Sequence, residues 1–465
     1  MPLLSDFMQM KSEAIRRWAV LMVAGTAQFL VLLESTIINV AIPTIGDRLG
    51  DGGWLVWVLS GYLLAFGGLL LPGGAWSDRT GRRPVFLGAL TGFAITSIAC
   101  ALAPTIEVLV GARLVQGASA GVLAASALGV VIARYSRQRE RAIALTIWSA
   151  LGVVGAVIGS LIAGPLISWF GWPGVFWINV AAVLLLMPFA LRTIQRGESH
   201  TSSARSWPAG VVAAGAAAIL AGLSIAERNP LPGAALAVVG AGALVTTVLA
   251  QRRAVAPVLP VHLFSLAAYR TATLGLFAVN GLMIAAMFAY STHLQQHYGL
   301  TAQGASFAVA PMAIASLVVA VLADTVITRL GATATFRLAG AALLVGTGTV
   351  FAVALTDAPW GWLILGGLLI GAGLPGAFVI SNRRAFADVA GDEAGAASGF
   401  TTMITTLGGA TTVAAAGLAA SLSPYVGPYA VLLLAAAVIV ALSLPRTGPR
   451  EDSAVPAAGP ATETR

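Results

Sequence analysis

Charge is what this 465-residue chain has least of. Only 9% of its residues are charged, against roughly 25% in an ordinary soluble domain. That deficit excludes a soluble enzyme, a coiled coil and a disordered regulator. Lysine is almost absent: among 26 basic residues only Lys11 is not arginine. The net charge of +8 does not point to nucleic acid, because the basic residues sit between apolar runs and form no stripe. Cysteine is down to one, Cys100, which removes any disulfide within the chain and argues against a cysteine-ligated metal. Polar-apolar alternation is missing as well. Segments 211–223 and 431–440 are apolar on every side, which excludes a transmembrane barrel.

What is there is hydrophobic. Apolar residues make up 58% of the chain, and the mean hydropathy is +0.89. A bilayer core of ~30 Å needs about 20 apolar residues per helical span, and helix is forced because backbone groups in lipid must pair within the segment. Fourteen spans are expected, at 18–43, 54–75, 84–103, 106–133, 142–167, 173–191, 208–226, 231–250, 271–292, 303–327, 337–356, 359–380, 395–421 and 425–444. The chain is therefore an all-α polytopic membrane protein. Of its basic residues, all but Arg48, Arg228 and Arg113 fall in alternate connections and the two ends. The positive-inside rule then puts both termini in the cytoplasm. Trp18, Trp76 and Trp207 mark the inner boundary, and Trp54, Trp57, Trp169, Trp172, Trp360 and Trp362 the outer one, as an aromatic belt. Residues 1–17 are polar and the first apolar run is too long for a signal-peptide core, so no cleaved leader is expected.

The organisation follows. Residues 1–17 form a cytoplasmic segment, 18–194 a six-helix bundle, 195–270 linkers with two additional spans, 271–444 a second six-helix bundle, and 445–465 a disordered tail. A faint internal repeat supports the division. The second connection carries Gly74, Asp78, Arg79, Gly81, Arg82 and Arg83, and its counterpart in the second half carries Asp324, Arg329, Gly331 and Arg337. Two six-span halves around a midplane site are a recurrent plan of secondary transporters.

Two charges lie deep. A charge at the bilayer centre costs at least ~2.5–3.5 kcal/mol, so Glu34 and Arg113 must face protein or water. Counting at 1.5 Å per residue puts Glu34 roughly 24 Å and Arg113 about 18 Å from the inner boundary. That gap is within reach of two long side chains, and one shared polar cavity is expected. Burial favours the uncharged acid and a nearby guanidinium favours the carboxylate. A change of distance or water access would then load or release a proton; the alternative is a static pair that fixes packing.

Other features have two readings each. The cluster from Gly74 to Arg83 either latches one conformational state or only carries the positive-inside signal. Within it, Gly74 suits close helix approach and Gly81 a tight turn. Gly152, Gly155 and Gly159, followed by Gly164 and Pro165, form a small-residue ridge for helix packing. Asn39, Gln116, Trp148, Asn280, Tyr290 and Gln295 either line a cavity or make interhelical hydrogen bonds, and Trp177 stands with Trp148 as a cavity-wall candidate. His293 and His297 share a helix face but lack the Glu of a zinc-protease motif, so an interfacial polar pair is expected rather than a metal site. No nucleophile, base and ligand set, and no P-loop, is present, so neither an enzyme nor an ATP-driven pump is expected.

Three motifs in order resemble the major facilitator superfamily, and within it the fourteen-span drug:proton antiporters. Gly74-x3-Asp78-Arg79-x-Gly81-Arg82-Arg83 is similar to motif A, and Arg113-Leu114-Val115-Gln116-Gly117 to motif B. The run from Leu33 through Glu34, Thr36 and Asn39 to Pro43 is similar to the first-span motif of the fourteen-span group. The resemblance implies two six-helix bundles with an inserted helix pair, alternating access, and proton-driven export of amphipathic small molecules through a mostly apolar cavity. It implies proton coupling or substrate contact at Glu34 and Arg113, and gating at Asp78 and its arginine neighbours. No cofactor is implied, since the proton gradient drives transport, and a monomer in the bacterial cytoplasmic membrane is expected. The chain departs from the family pattern in carrying Glu34 for Asp, Gly159-Ser160-Leu161-Ile162-Ala163-Gly164 for Gly-Pro-x-x-Gly-Gly, and Pro173 for Arg. A same-fold symporter for uptake of a narrow metabolite remains the alternative.

Overall fold

The computed structural model describes residues 2–50, 54–135, 137–195, 230–253, 261–389 and 394–443, with scattered residues between 211 and 222. Among the described residues there is no strand. The helices are α1 (Pro2–Leu49), α2 (Leu55–Thr80), α3 (Arg82–Ala101), α4 (Ile106–Arg134), α5 (Gln138–Phe170), α6 (Gly174–Thr193), α7 (Pro230–Arg253), α8 (Ala267–Gln296), α9 (Ala302–Leu330), α10 (Ala332–Thr356), α11 (Gly361–Phe386), α12 (Ala394–Leu422) and α13 (Gly427–Ser443), with a 3-10 turn at Val261–Ser265. Twelve of them, α1 to α12, are long and apolar enough to cross a membrane, and α13 carries the shorter apolar stretch Gly427–Leu442. The chain is a multi-pass helical membrane protein. The expected span 208–226 lies mostly outside the described residues, and the linker 196–207 and tail 445–465 lie wholly outside them.

The first helix extends beyond its expected span. Helix α1 begins at Pro2 and runs without a break into the span. Segment 2–17 holds Leu, Met, Glu, Lys, Ala and Arg and no glycine, a composition that favours helix.

The internal repeat is plain in the packing. In the first half α1 lies along α5, α2 along α4, and α3 against α4 and α6; in the second, α8 lies along α12, α9 along α11, and α10 against α11 and α13. Equivalent glycines make equivalent clasps. A Cβ on Gly155 would stand 2.3 Å from the Phe29 carbonyl oxygen, and one on Gly408 2.2 Å from that of Phe277. A Cβ on Gly117 would stand 2.2 Å from the Tyr62 carbonyl oxygen, and one on Gly371 2.2 Å from that of Met312. Only glycine lets the helix backbones meet at this separation. The joints match too: Gly81 (φ 99°) and Gly331 (φ 80°) are each the single residue between two helices, in a backbone region that side chains disfavour.

The two halves meet along two seams, α2 with α12 and α5 with α9, and α1 also touches α8. In the first seam, Gly67 packs on Thr406, Gly399 on Leu71 and Gly417 on Val56. In the second, Gly164 sits against Gln303, where a Cβ would come within 2.5 Å of its Cα, and its N–H donates to Ser306 Oγ at 2.9 Å. So Gly152, Gly155 and Gly159 pack α5 on α1, whereas Gly164, beside Pro165, packs α5 across to the other half. Gly74 does not make the close approach its motif suggested. A Cβ there would meet only Ala125 Cβ at 3.9 Å, while one on the neighbouring Gly73 would meet Val122 Cα at 2.8 Å. Gly73 is the position turned toward α4.

Helix α7 stands apart, its membrane-length window only 17% buried. It packs on the described part of the 208–226 segment: a Cβ on Gly240 would lie 2.5 Å from the Gly215 carbonyl oxygen, and one on Gly222 2.5 Å from that of Gly233.

These contacts set a contrast that thermal unfolding in detergent can read. Gly155→Val and Gly117→Val should each lower the apparent Tm by an amount equivalent to about 1–3 kcal/mol, the usual cost of overpacking. Gly74→Ala should leave it unchanged; an equal loss there would overturn the assignment of Gly73 as the packing position.

Candidate functional site

Helix α1 runs between α4, α5 and α6, and this position buries Glu34. Helix α4 lies against α1, α2 and α3, and buries Arg113. Neither side chain has any exposed surface. They form an ion pair, Arg113 Nη1 donating to Glu34 Oε1. The same nitrogen donates to Gln116 Oε1 at 2.7 Å, one turn further along α4. Arg113 Nε donates to the Val58 carbonyl oxygen of α2 at 2.8 Å. The guanidinium carbon lies 4.2 Å from the centre of the Tyr62 ring and 5.7 Å from that of Phe176, a cation–π contact strengthened by burial.

The second carboxylate oxygen is held from α6, where Asn179 Nδ2 donates to Glu34 Oε2. Helix α3 closes the network: Gln116 Nε2 donates to Ser97 Oγ at 2.8 Å, Ser97 Oγ donates to the Phe93 carbonyl oxygen at 2.7 Å, and Cys100 Sγ lies 3.4 Å from Gln116 Oε1. Five helices thus supply one charged cluster. Two of its atoms, Arg113 Nη2 and Asn179 Oδ1, have no hydrogen-bond partner. The expected open polar cavity is not what surrounds the pair. The cluster is sealed inside the first group of helices, because Tyr62 and Phe176, both fully buried, cover the guanidinium.

The residues Gly74 to Arg83 lie at the end of this bundle. Arg82 Nη2 donates to Asp78 Oδ1 at 3.3 Å across the Gly81 joint, and the Arg82 stem lies over Gly129 of α4. Arg83 Nη2 donates to the Leu191 carbonyl oxygen near the end of α6 at 2.9 Å, and Arg79 is exposed. In the second half, Arg383 of α11 pairs with Asp324 of α9. Each half therefore carries an acid–arginine link on the arginine-rich face, made within that half.

A cavity of about 550 Å³ opens between the halves at the opposite face, lined by α1, α2, α8, α12 and the connection into α13. None of the six candidate lining residues faces it. Gln116 belongs to the buried cluster. Asn39 Nδ2 donates to the Ser35 and Thr36 carbonyls of its own helix at 3.2 Å. Asn280 Nδ2 donates to the Thr405 carbonyl at 2.8 Å. Gln295 Nε2 bridges the halves, donating to the Val40 carbonyl at 3.0 Å. Trp148 is half-buried against the core with an unpartnered Nε1, and Tyr290 is buried edge-on to Tyr429. Trp177 is 43% exposed on the bundle surface, not on a cavity wall. The two histidine rings lie together, 4.9 Å between centroids. His293 is buried, its Nδ1 2.9 Å from Tyr429 Oη, while His297 pairs with Asp357.

A sequence model described as Major Facilitator Superfamily matches residues 24–411. The chain belongs to that superfamily. Among curated relatives, it is 30% identical over 380 residues to a methylenomycin A resistance protein of Streptomyces coelicolor (79% of this chain, 78% of the relative). It is 32% identical over 414 residues to the puromycin resistance protein pur8 of Streptomyces alboniger (85% and 80%). Among solved structures, a POT family transporter in complex with a thioalcohol-conjugated peptide superposes with a TM-score of 0.68 at 14% identity, covering 91% of this chain and 94% of that one. That likeness shows the fold. This superfamily member is thus a transporter whose two halves carry the repeat described above.

Sequence alone had marked Glu34, Arg113 and Gln116, but not Asn179, Ser97, Tyr62 or Phe176 as their partners. A lone Asn in the middle of an apolar span was the one available signal, since an unpaired amide in lipid is costly.

Removing one member of the pair should expose its energetic role. Arg113→Met should destabilise the protein by about 3–5 kcal/mol by leaving a buried carboxylate unpaired. Adding Glu34→Gln should recover much of that loss. Denaturation midpoints of the two single variants and the double variant measure the coupling; additive losses would show that the two groups do not interact.

Proposed function

We propose that this protein exports amphipathic, drug-like organic compounds across the bacterial cytoplasmic membrane in exchange for protons, both termini being cytoplasmic. The relatives named for antibiotic resistance support the cargo class. The asymmetry of arginine along the chain supports the orientation. One observation carries the coupling: an acid and an arginine held together, away from water, on two helices that each clasp a seam helix.

The proposed linkage runs through those clasps. Glu34 sits on α1, which Gly155 fastens to the seam helix α5. Arg113 sits on α4, which Gly117 fastens to the seam helix α2. Arg113 also holds the Val58 carbonyl of α2 directly. A proton delivered to Glu34 removes the negative partner of the guanidinium and weakens the bond between these two helix pairs. The seams α2–α12 and α5–α9 then re-pack, and the cavity alternates between the two faces. Loss of the proton on the other side restores the ion pair. The buried Asn179 amide, donating to Glu34, holds the acid in the resting arrangement that meets Arg113. Asn179 and Gln116 act as positioning residues, since each holds one member of the pair.

Everted membrane vesicles test this reading. An imposed proton gradient, acid inside, should drive puromycin or a fluorescent dye into vesicles carrying the protein. Glu34→Gln should abolish gradient-driven accumulation while the protein remains inserted at wild-type level. Full accumulation in that variant would remove Glu34 from coupling, and flux only in the reverse sense would favour uptake.

A further inference from the structure

We infer that the 3-10 turn Val261–Ser265 is a prop that holds the α2–α12 seam shut at the arginine-rich face, and that opening this end requires the turn to leave its seat. The seat is a small apolar cluster beside the main core. Leu263 of the turn is 2% exposed there, among Tyr269, Ala272 and Leu276 of α8, Ala385 of α11 and Ala397 of α12. Phe264 meets Tyr269 edge-on at 5.6 Å between ring centroids, and Phe400 of α12 at 5.7 Å. Arg270 Nη1 donates to the Phe264 carbonyl oxygen at 3.1 Å and ties the turn to α8. Tyr269 Oη lies 2.9 Å from Thr401 Oγ1, a polar link between α8 and α12 in the same place.

The turn backs α12 on the side away from the seam. A helix turns by about 100° per residue, so Ala397, Phe400 and Thr401 share one face of α12, and Gly399 and Thr406 share the opposite one. The first face carries the contacts with the turn and Tyr269. The second carries the seam: a Cβ on Gly399 would stand 2.4 Å from Leu71 Cδ2, and one on Gly67 3.1 Å from Thr406 Cβ. The first turns of α12 are thus gripped between α2 and the turn. They cannot swing away from α2 without displacing Leu263 and Phe264. The cavity between the halves opens at the other face, whereas at this end α2 and α12 are in contact.

The turn follows α7 in the chain and packs on it. The inserted helix pair therefore bears on a seam helix through this one short element. The seat is small, so the turn can leave it at far lower cost than unfolding a bundle. That balance suits a part that must hold one conformation and yield to another. As a step in alternating access the prop rests on the proposed function; as the element that keeps this end of the seam closed it stands without it.

Cross-linking of the full-length protein in lipid nanodiscs, with neither gradient nor cargo, tests the prop. A first cysteine pair, Leu71→Cys with Gly399→Cys, reports the arginine-rich end of the seam. A second pair, Val56→Cys with Gly417→Cys, reports its other end, where a Cβ on Gly417 would stand 2.2 Å from Val56 Cγ2. Native Cys100 is buried and gives no competing link. Initial rates of disulfide formation under copper phenanthroline are read from the linked peptides by mass spectrometry. Phe264→Ala should slow the first pair several-fold and leave the second no slower than in the parent protein. Phe264→Leu, which keeps apolar bulk in the seat, should restore most of the rate. Arg270→Met, at an exposed position, removes the tie to the turn's carbonyl and should slow the first pair in the same selective way. An unchanged first pair in Phe264→Ala, or in Arg270→Met should the alanine variant not fold, would overturn the prop, as would equal slowing at both ends. Selective slowing in a protein that shows no proton-driven flux would instead overturn the export reading and leave the prop standing.

Discussion

An acid and a guanidinium sit together, fully buried, in the interior of helices α1 to α6, and much of the surrounding structure answers to that fact. Taking either ion out of water costs several kcal/mol, so each needs every partner the packing can bring. Arg113 uses a carboxylate, a side-chain amide, a backbone carbonyl and two aromatic faces; Glu34 uses the guanidinium and the Asn179 amide. These partners come from four helices, α1, α2, α4 and α6. None of those helices can rotate or slide without stripping the charges of some of their compensation. A charge pair of this kind is weak evidence for stability, because an apolar replacement of equal volume would pack as well. Its presence in such an apolar chain therefore fits the coupling role proposed for it.

The glycines make that arrangement accessible. Gly117 and Gly155 bring α4 onto α2 and α1 onto α5 at backbone contact distance, and this closeness lets two side chains from different helix pairs meet. The same clasps recur at Gly371 and Gly408 in the second half, where no buried acid–arginine pair occurs among the described residues. Instead His293, Tyr290 and Tyr429 occupy the core near the cavity. The two halves thus share a packing scheme but differ in chemistry. Charge is concentrated in the first half, and neutral aromatic surface borders the cavity from the second.

That division has a physical consequence. A mostly apolar cavity can bind only through burial of apolar surface, which is non-directional and tolerant of shape. A sealed ion pair discriminates between protonation states through its partners. Under the proposed function, keeping coupling and cargo in different places would let the cavity accept varied cargo without altering the charged cluster, with the α2–α12 and α5–α9 seams connecting them.

The amino-acid sequence by itself determined the number and limits of most helices, because hydrophobic length is a local property fixed by bilayer thickness and backbone hydrogen bonding. It also determined that Glu34 and Arg113 lie at compatible depths, since rise per residue converts position in the chain to position in the membrane. Only the tertiary structure decided what those residues touch. Whether side chains 79 positions apart meet in a dry core or across a wet cleft depends on how each helix is rotated about its axis. That rotation is set jointly by all the helices it packs against. Gly73 rather than Gly74 turned toward α4, Trp177 turned outward, and Asn179 turned onto the carboxylate for the same reason: hydropathy tells a helix how far to run, and its neighbours tell it which way to face.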